Sequence, residues 1–408
     1  MVGFTGRSTL VRSTNFTKHV RMDRVSWTLL VLVRLSLLFC LLRAYRAHQA
    51  ERSIRLTISA LVVVCSLFFC RTGLLSLYLF FEVSLIPIFF LVLGWGYQRE
   101  RLTASKALFF YTFSSSIPLL LTILRGNRRG VTFLHQTESS LGGTGMAGAT
   151  SLCIIVAFLV KLPIFGVHIW LPKAHVEAPV IGSIFLAAIL LKIGGFGILK
   201  VYTTLREYRY TSVLVFRSSA WRFVVIRMSC FQRSDMKVLI AFSSVRHMAL
   251  ILVLLVRGRE CGTQGGLMIM LGHGVRSSIM FFLRYLVYLN SSTRSLILNK
   301  RIKTKGGLVS FMWCIACFGI LGGPPTSNLW FEINAFYIVC SSMPSLIKAA
   351  FWAGLITGVY SLMCLRSAYS GNSLRYQVSA RPISSLDSVT CLAHTVVLLT
   401  LVTLVFRL

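Results

Sequence analysis

The chain has 408 residues, 55% of them hydrophobic, and a mean hydropathy of +0.75, a composition that belongs to a multi-span membrane protein. Its formal net charge is +32, yet the basic residues are scattered over many loops and helix ends. That distribution excludes a soluble nucleic-acid binder and makes anionic phospholipids such as cardiolipin, together with acidic partner subunits, the natural counterions.

A membrane-spanning helix needs about 20 mainly apolar residues. Twelve stretches qualify, at 27–43, 54–70, 73–95, 106–124, 149–171, 179–202, 211–230, 237–256, 264–288, 308–321 continuing broken through 326–342, 345–365 and 389–406. The connections are short, so the predicted fold is one all-α polytopic bundle over 27–408, after a basic segment 1–26. That segment lacks the apolar core of a signal peptide and suits an organellar presequence or a matrix-side arm. Positive loops follow both odd and even spans, which leaves the orientation open.

The third span, LYLFFEVSLIPIFFLVLGWG, carries Glu82, with Pro87 five residues on. Of the eleven Asp and Glu residues, only Glu82 and Glu332 fall inside apolar runs. A lone intramembrane carboxylate marks a functional site by default. Residues 98–106 read as a charged loop, and Ser114–Ser116 as close packing or water contact. The next span holds Lys161, and Pro163 follows within two residues. A proline there breaks the helix and frees backbone groups, tolerated where they line a wet cavity.

His168 and the segment WLPKAHVEAP come next. Pro172 and Pro179 bracket what reads as a turn, with Lys173, His175 and Glu177 on one side of it if it is extended. The set lacks a third metal ligand and a C-x-x-C partner, so a zinc site is not indicated. Lys192 lies deep in the following run, ahead of Gly194 and Gly195, which permit close helix approach. An ammonium in hydrocarbon costs about 2.5 to over 10 kcal/mol. A snorkelling lysine avoids that cost, but Lys192 is too central, and a buried polar path for ions becomes the reading.

In the second half, Asp235 and Lys237 open a span that contains His247, and His273 sits mid-span between two glycines. Histidine exchanges protons near neutral pH, and two in consecutive spans suggest a relay. Gly322, Gly323, Pro324 and Pro325 then interrupt a helix just before Glu332. Interrupted helices in both halves point to an inverted-repeat transporter, with half-channels over 54–202 and 211–365 and a last span at 389–406. Cys314 and Cys317 form a C-x-x-C at helical spacing without further ligands, so no metal or redox role is assigned.

These motifs closely resemble the subunit 4 family of respiratory complex I, the proton-translocating NADH:ubiquinone oxidoreductase. The resemblance is carried by LFFEVSLIPIFFLVLGWGYQRERLTAS, VKLPIFGVHIWLPKAHVEAPVIGS, LAAILLKIGGFGIL, SDMKVLIAFSSVRHMALILV, GLMIMLGHG and PPTSNLWFE, roughly two thirds of the chain. It implies an antiporter-like subunit of the mitochondrial inner membrane. Such a subunit has no redox centre; NAD, FMN, iron–sulfur clusters and ubiquinone belong to other subunits. Its partners would be other membrane-arm subunits, including neighbouring antiporter-like ones.

By the same resemblance, Glu82 pairs with the broken-helix Lys161, and Lys192 links the half-channels. His247 and His273 serve the second half-channel, and Glu332 lies at its exit. The supporting positions are Pro163, His168, Lys173, His175, Glu177, Lys237, Pro324 and Pro325. The family usually has about fourteen spans, so the first two are expected to be missing here.

A second departure is Arg222, Arg227, Arg246, Arg276 and Arg284 inside spans. Either acidic partners or lipid phosphates compensate them, or transcript editing or codon reassignment makes the translated arginines incorrect. Two other readings accompany the resemblance: a subunit of a multisubunit cation/proton antiporter, and a structural subunit with an inactive channel.

Overall fold

The computed structural model describes residues 14–17, 20–46, 52–128, 147–163, 166–207, 209–257, 259–296, 298–299, 307–324, 326, 328–369 and 385–405. A short antiparallel hairpin, β1 (Thr14–Thr17) with β2 (Val20–Met22), precedes the helices. This hairpin lies in the basic segment, where no element was expected.

The helices follow in chain order. They are α1 (Arg24–Arg46), α2 (Arg52–Cys70), α3 (Leu74–Val83), α4 (Leu85–Trp95), α5 (Arg101–Arg128), α6 (Ala147–Lys161), α7 (Trp170–Glu177) and α8 (Val180–Phe185). A π turn, Leu186–Leu190, joins α8 to α9 (Leu191–Glu207). Then come α10 (Arg209–Phe231), α11 (Met236–Arg257), α12 (Arg259–Ser291), α13 (Gly307–Leu321), α14 (Asn328–Ser342), α15 (Ile347–Tyr369) and α16 (Ser385–Val405).

Every predicted span carries helix. Among the described residues, eight helices are long and apolar enough to cross a membrane, and α6, α13 and α16 contribute shorter apolar stretches. α10 is not among them; its 23 residues include Arg209, Arg217, Arg222 and Arg227. The bundle is sorted radially. The spans at Val180–Val201, Met236–Val256 and Gly262–Leu289 are 89%, 94% and 100% buried, whereas Arg52–Cys70 is 28% buried. The polar groups singled out above mostly lie on the central helices.

Three boundaries differ from the sequence reading. Residues 98–106 are not all loop, because α5 already starts at Arg101. The Arg101 guanidinium donates to Gly94 O (3.2 Å) and Gly96 O (3.0 Å) at the end of α4, so the charge serves a helix C-terminus. The 149–171 run is helical only to Lys161. WLPKAHVEAP is not an extended turn, because α7 occupies Trp170–Glu177 and places Pro172 in its first turn, where a missing N–H is harmless. Helical spacing then separates the three polar residues: Lys173 is exposed, while His175 and Glu177 are buried.

Two close approaches set the geometry of the centre. Gly194 lies where an added Cβ would meet Phe158 O at 2.9 Å and Leu162 N at 3.0 Å, so α9 packs directly on the end of α6. Gly322, at φ +73°, ends α13 in the left-handed region that favours glycine, and a Cβ there would meet the Glu332 carboxylate at 2.7 Å.

Candidate functional site

The first centre forms where two helix ends face each other. Pro87 has no N–H for Val83 O, and the span divides into α3 and α4 around Ser84. Lys161, the last residue of α6, is fully buried against this division. Its Nζ donates to Phe81 O at 2.6 Å, approaches Ser84 Oγ at 3.5 Å and lies 3.2 Å from the Phe81 ring centroid. Glu82 is the next residue after Phe81, half-buried, and no ion pair within 4.0 Å joins it to Lys161 among the described residues. Its Oε1 has no hydrogen-bond partner among them. Downstream of Pro163, Trp170 Nε1 donates to Val160 O (3.2 Å) and ties α7 back to the end of α6.

The second centre is built on the π turn. A π turn inserts one residue and disturbs the regular carbonyl ladder. Here the Lys192 Nζ donates to Ala187 O at 2.6 Å, five residues back. Its other partner is His273 Nδ1 on α12, at 2.8 Å. His273 and His247 have ring centroids 5.7 Å apart. His247 Nδ1 then lies 3.1 Å from Glu332 Oε1 on α14. Lys192, His273, His247 and Glu332 therefore lie in one row, with neighbouring but not hydrogen-bonded rings at its middle and fractional exposures of 0, 0, 0 and 5%.

The arginines border this row. Arg246 donates to Ile320 O (2.5 Å), touches His247 Nε2 and lies 3.7 Å from Glu332 Oε2. Arg276 donates to Gly319 O. Both carbonyls belong to the last turn of α13, where the helix leaves its acceptors open and the dipole favours cations. Arg227 stacks between Phe223 (3.9 Å) and Phe336 (4.9 Å), and Arg284 donates to Thr293 O (2.8 Å). Arg222 lies on α10, and its Nη1 is among the buried atoms without a hydrogen-bond partner.

The supporting residues fall into two groups. Lys237 donates to Val176 O (2.7 Å) and Ala178 O (2.9 Å) and so caps α7, while Asp235 Oδ1 accepts from Lys237 N at the start of α11. Glu177 faces Arg294 at 3.7 Å. His175 stacks on Phe281 at 4.7 Å, and burial, then the Lys237 and Lys192 charges, push its imidazole down to about 3. His168 lies edge-on to Phe242 at 5.8 Å, on the turn after Pro163. Lys173 points to the surface, Pro324 lies in the turn after α13, and Pro325 falls outside the described residues.

Two buried groups carried no signal that separated them from ordinary sequence. Asp387 lies in the first turn of α16, two residues ahead of the span expected at 389–406. His394 stacks on Phe39 at 3.4 Å, with Nδ1 held 2.7 Å from Thr390 O. Among the described residues no three His, Cys, Asp or Glu side chains gather as a metal site.

A bundle with two interrupted helices and a buried row of lysine, histidine and glutamate defines an antiporter-like membrane subunit. The chain belongs to the NADH:quinone oxidoreductase/Mrp antiporter family, whose transmembrane region matches residues 72–357. It is 39% identical over 306 residues to NADH-ubiquinone oxidoreductase chain 4 of Aedes aegypti, covering 73% of this chain and 66% of that one, just under two thirds. A chain of respiratory complex I from Thermus thermophilus superposes with a TM-score of 0.82 at 20% identity, over 94% of this chain and 81% of that one. A chain of the Mrp complex from Dietzia sp. DQ12-45-1b superposes at 0.81 and 16% identity, over 95% and 80%. At those identities the two structures establish a shared fold.

Proposed function

We infer that this chain is the antiporter-like subunit 4 of the membrane arm of NADH:ubiquinone oxidoreductase, and we propose that it moves protons along Glu82, Lys161, Lys192, His273, His247 and Glu332. It is a multi-pass protein of the mitochondrial inner membrane and works as one subunit of an NADH:ubiquinone reductase. In this reading NADH oxidation and quinone reduction happen on other subunits, which hold NAD, FMN, the iron–sulfur clusters and ubiquinone. Anionic phospholipids such as cardiolipin surround the chain, and neighbouring antiporter-like subunits flank it.

The observation that carries the proposal is the row from Lys192 Nζ to Glu332 Oε1, with contacts of 2.8 Å at its start and 3.1 Å at its end. Lysine, histidine and glutamate can each release and take a proton; heavy-atom separations of roughly 2.6–3.2 Å allow direct transfer at the two ends, and the middle step between the rings, 5.7 Å between centroids, runs through a ring movement or one water. Lys161 supports the upstream half: its ammonium rests on Phe81 O, next in sequence to Glu82, and in this reading a side-chain movement exchanges the carbonyl for the carboxylate. From there the charge is passed toward Lys192, whose helix α9 is pressed on the end of α6 through Gly194.

The test is Lys192→Ala in the assembled complex, reconstituted in sealed vesicles. The variant assembles and oxidises NADH but pumps fewer protons per electron; an unchanged ratio refutes the route. A multisubunit cation/proton antiporter has the same fold. That alternative forbids co-purification with flavin and iron–sulfur subunits, so isolating the chain with them decides between the two.

A further inference from the structure

Between α14 and α15 runs a groove that the proton route does not use. Its lining includes Phe336 and Cys340 of α14 and Ile347, Ala350, Phe351 and Leu355 of α15, and its volume is about 340 Å³. The lining is almost wholly apolar. Arg227 stacks on Phe336 at 4.9 Å and backs that wall, while Phe351 is exposed at the rim.

The depth of the groove matches one membrane leaflet. α15 belongs to the candidate span Pro344–Arg366, so Ile347 lies near one end of that span. From Ile347 to Leu355 a helix rises about 12 Å, close to the hydrocarbon depth of one leaflet, about 15 Å. The outer end is polar: Ser341 and Ser342 close α14, and Ser345 lies in the 3-10 turn Pro344–Leu346. Lys348 stands three residues ahead of Phe351 and seven ahead of Leu355, on the same helix face, and so extends that wall toward the membrane boundary. Its side chain is exposed, among the described residues no carboxylate pairs with it, and no Asp or Glu occurs in sequence between Glu332 and Asp387. An apolar trough of one-leaflet depth therefore ends beside a cation at headgroup level. A partner helix does not enter the groove, because a helix about 10–12 Å across displaces roughly 1,000 Å³ over about 12 Å of length, about three times the space present. A lipid chain does enter it.

We propose that this groove holds one acyl chain of an anionic phospholipid whose phosphate is bound by Lys348. The chain covers the apolar walls, and the ammonium meets the headgroup charge. The proposal rests on the membrane placement given above and is independent of the proton route.

The experiment uses the assembled complex in phosphatidylcholine vesicles containing a small fraction of phosphatidylglycerol with a diazirine midway along one acyl chain. After irradiation, peptide mass spectrometry maps the adducts. Adducts are expected on the peptides carrying Phe336, Cys340 and Phe351, and unlabelled phosphatidylglycerol competes for them at lower concentration than phosphatidylcholine. Lys348→Gln, a surface change, lowers the preference for phosphatidylglycerol about fivefold, the contribution of one lysine beside an anionic headgroup. Ala350→Phe fills the groove and removes the adducts at Phe336 and Cys340. Adducts on the exposed face of α2 report that the chain is embedded, so their presence without adducts on α14 and α15 counts against the groove alone. That result, equal competition by the two lipids, or an unaltered preference in Lys348→Gln overturns the proposal.

Discussion

His273 is the point where the proposed route is most easily cut. It is fully buried, its Nδ1 lies 2.8 Å from Lys192 Nζ, and its ring stands 5.7 Å from that of His247. His273→Leu replaces the imidazole with a side chain of similar bulk that carries no proton. Among the described residues Lys192 keeps Ala187 O at 2.6 Å as its remaining partner. Losing one hydrogen bond to a charged group costs about 1.5–3 kcal/mol, which a large bundle tolerates. The effect on transfer is greater. With the ring gone, Lys192 Nζ loses its 2.8 Å contact toward His247, the one separation on this stretch that lies within the direct-transfer range of roughly 2.6–3.2 Å among the described residues. Removing a positioned acid–base group slows proton transfer about a hundredfold to ten-thousandfold. The assay compares NADH oxidation with proton uptake or release in vesicles containing the assembled complex. The expected result is a complex that assembles, transfers electrons and moves fewer protons per electron. A wild-type ratio in the assembled variant means that protons do not pass through His273.

Gly194→Ala places a methyl 2.9 Å from Phe158 O and 3.0 Å from Leu162 N; overpacking of this kind costs about 1–3 kcal/mol, so the thermal midpoint of the membrane arm should fall, and an unchanged midpoint would show that α9 does not bear on α6. His175 has its folded-state pKa depressed to about 3 from 6.5, first by burial and then by Lys237 and Lys192. The unfolded state therefore binds the extra proton, so stability is intact above pH 6.5 and declines by about 1.4 kcal/mol per pH unit as the pH falls from 6.5 toward 3. His175→Phe, which keeps the stack on Phe281, should flatten the acid limb of a thermal-stability profile, and an equal slope in both proteins refutes the assignment. Peptide mass spectrometry across Arg246 and Arg276 decides between the two readings of these positions: arginine at both leaves buried cations held by Ile320 O and Gly319 O, and another residue at either position shows that the translated codons are read differently.

The span pattern was legible because hydrocarbon demands about 20 apolar residues per crossing, and Glu82, Lys161, Lys192 and Glu332 stood out as charges inside such runs. The partners of those charges were less visible. Lys161 rests on Phe81 O and not on Glu82, a choice made by the opening of one helix turn near Pro87. The π turn over Leu186–Leu190 has neither glycine nor proline to announce it. α7 was misread because Pro172 was taken as a breaker, although the first turn of a helix accepts it. Arg101 looked like loop charge until its bonds to Gly94 O and Gly96 O placed it at a helix end. In each case the sequence displays the charged group, and the carbonyl that receives it emerges only with the backbone path.

That contrast bears on the arginines. Lys161, Lys192, Arg246 and Arg276 each donate to a carbonyl at a helix irregularity: Phe81 O, Ala187 O, Ile320 O and Gly319 O. The same device thus holds these four buried cations, but it has two chemical outcomes. A lysine can leave its carbonyl after giving up a proton, so its site can cycle; an arginine does not deprotonate, so its site is fixed. The two lysines lie upstream of His273, and the two arginines border the end of the row. Glu332 consequently faces a permanent cation through one oxygen and His247 through the other. Protons leaving the row must use the His247 side, and Arg246 sets the field in which they do so. Arg246→Met should therefore change the pH dependence of pumping more than its maximum rate. A proton-to-electron ratio with an unaltered pH profile in that variant would show that Arg246 is only structural.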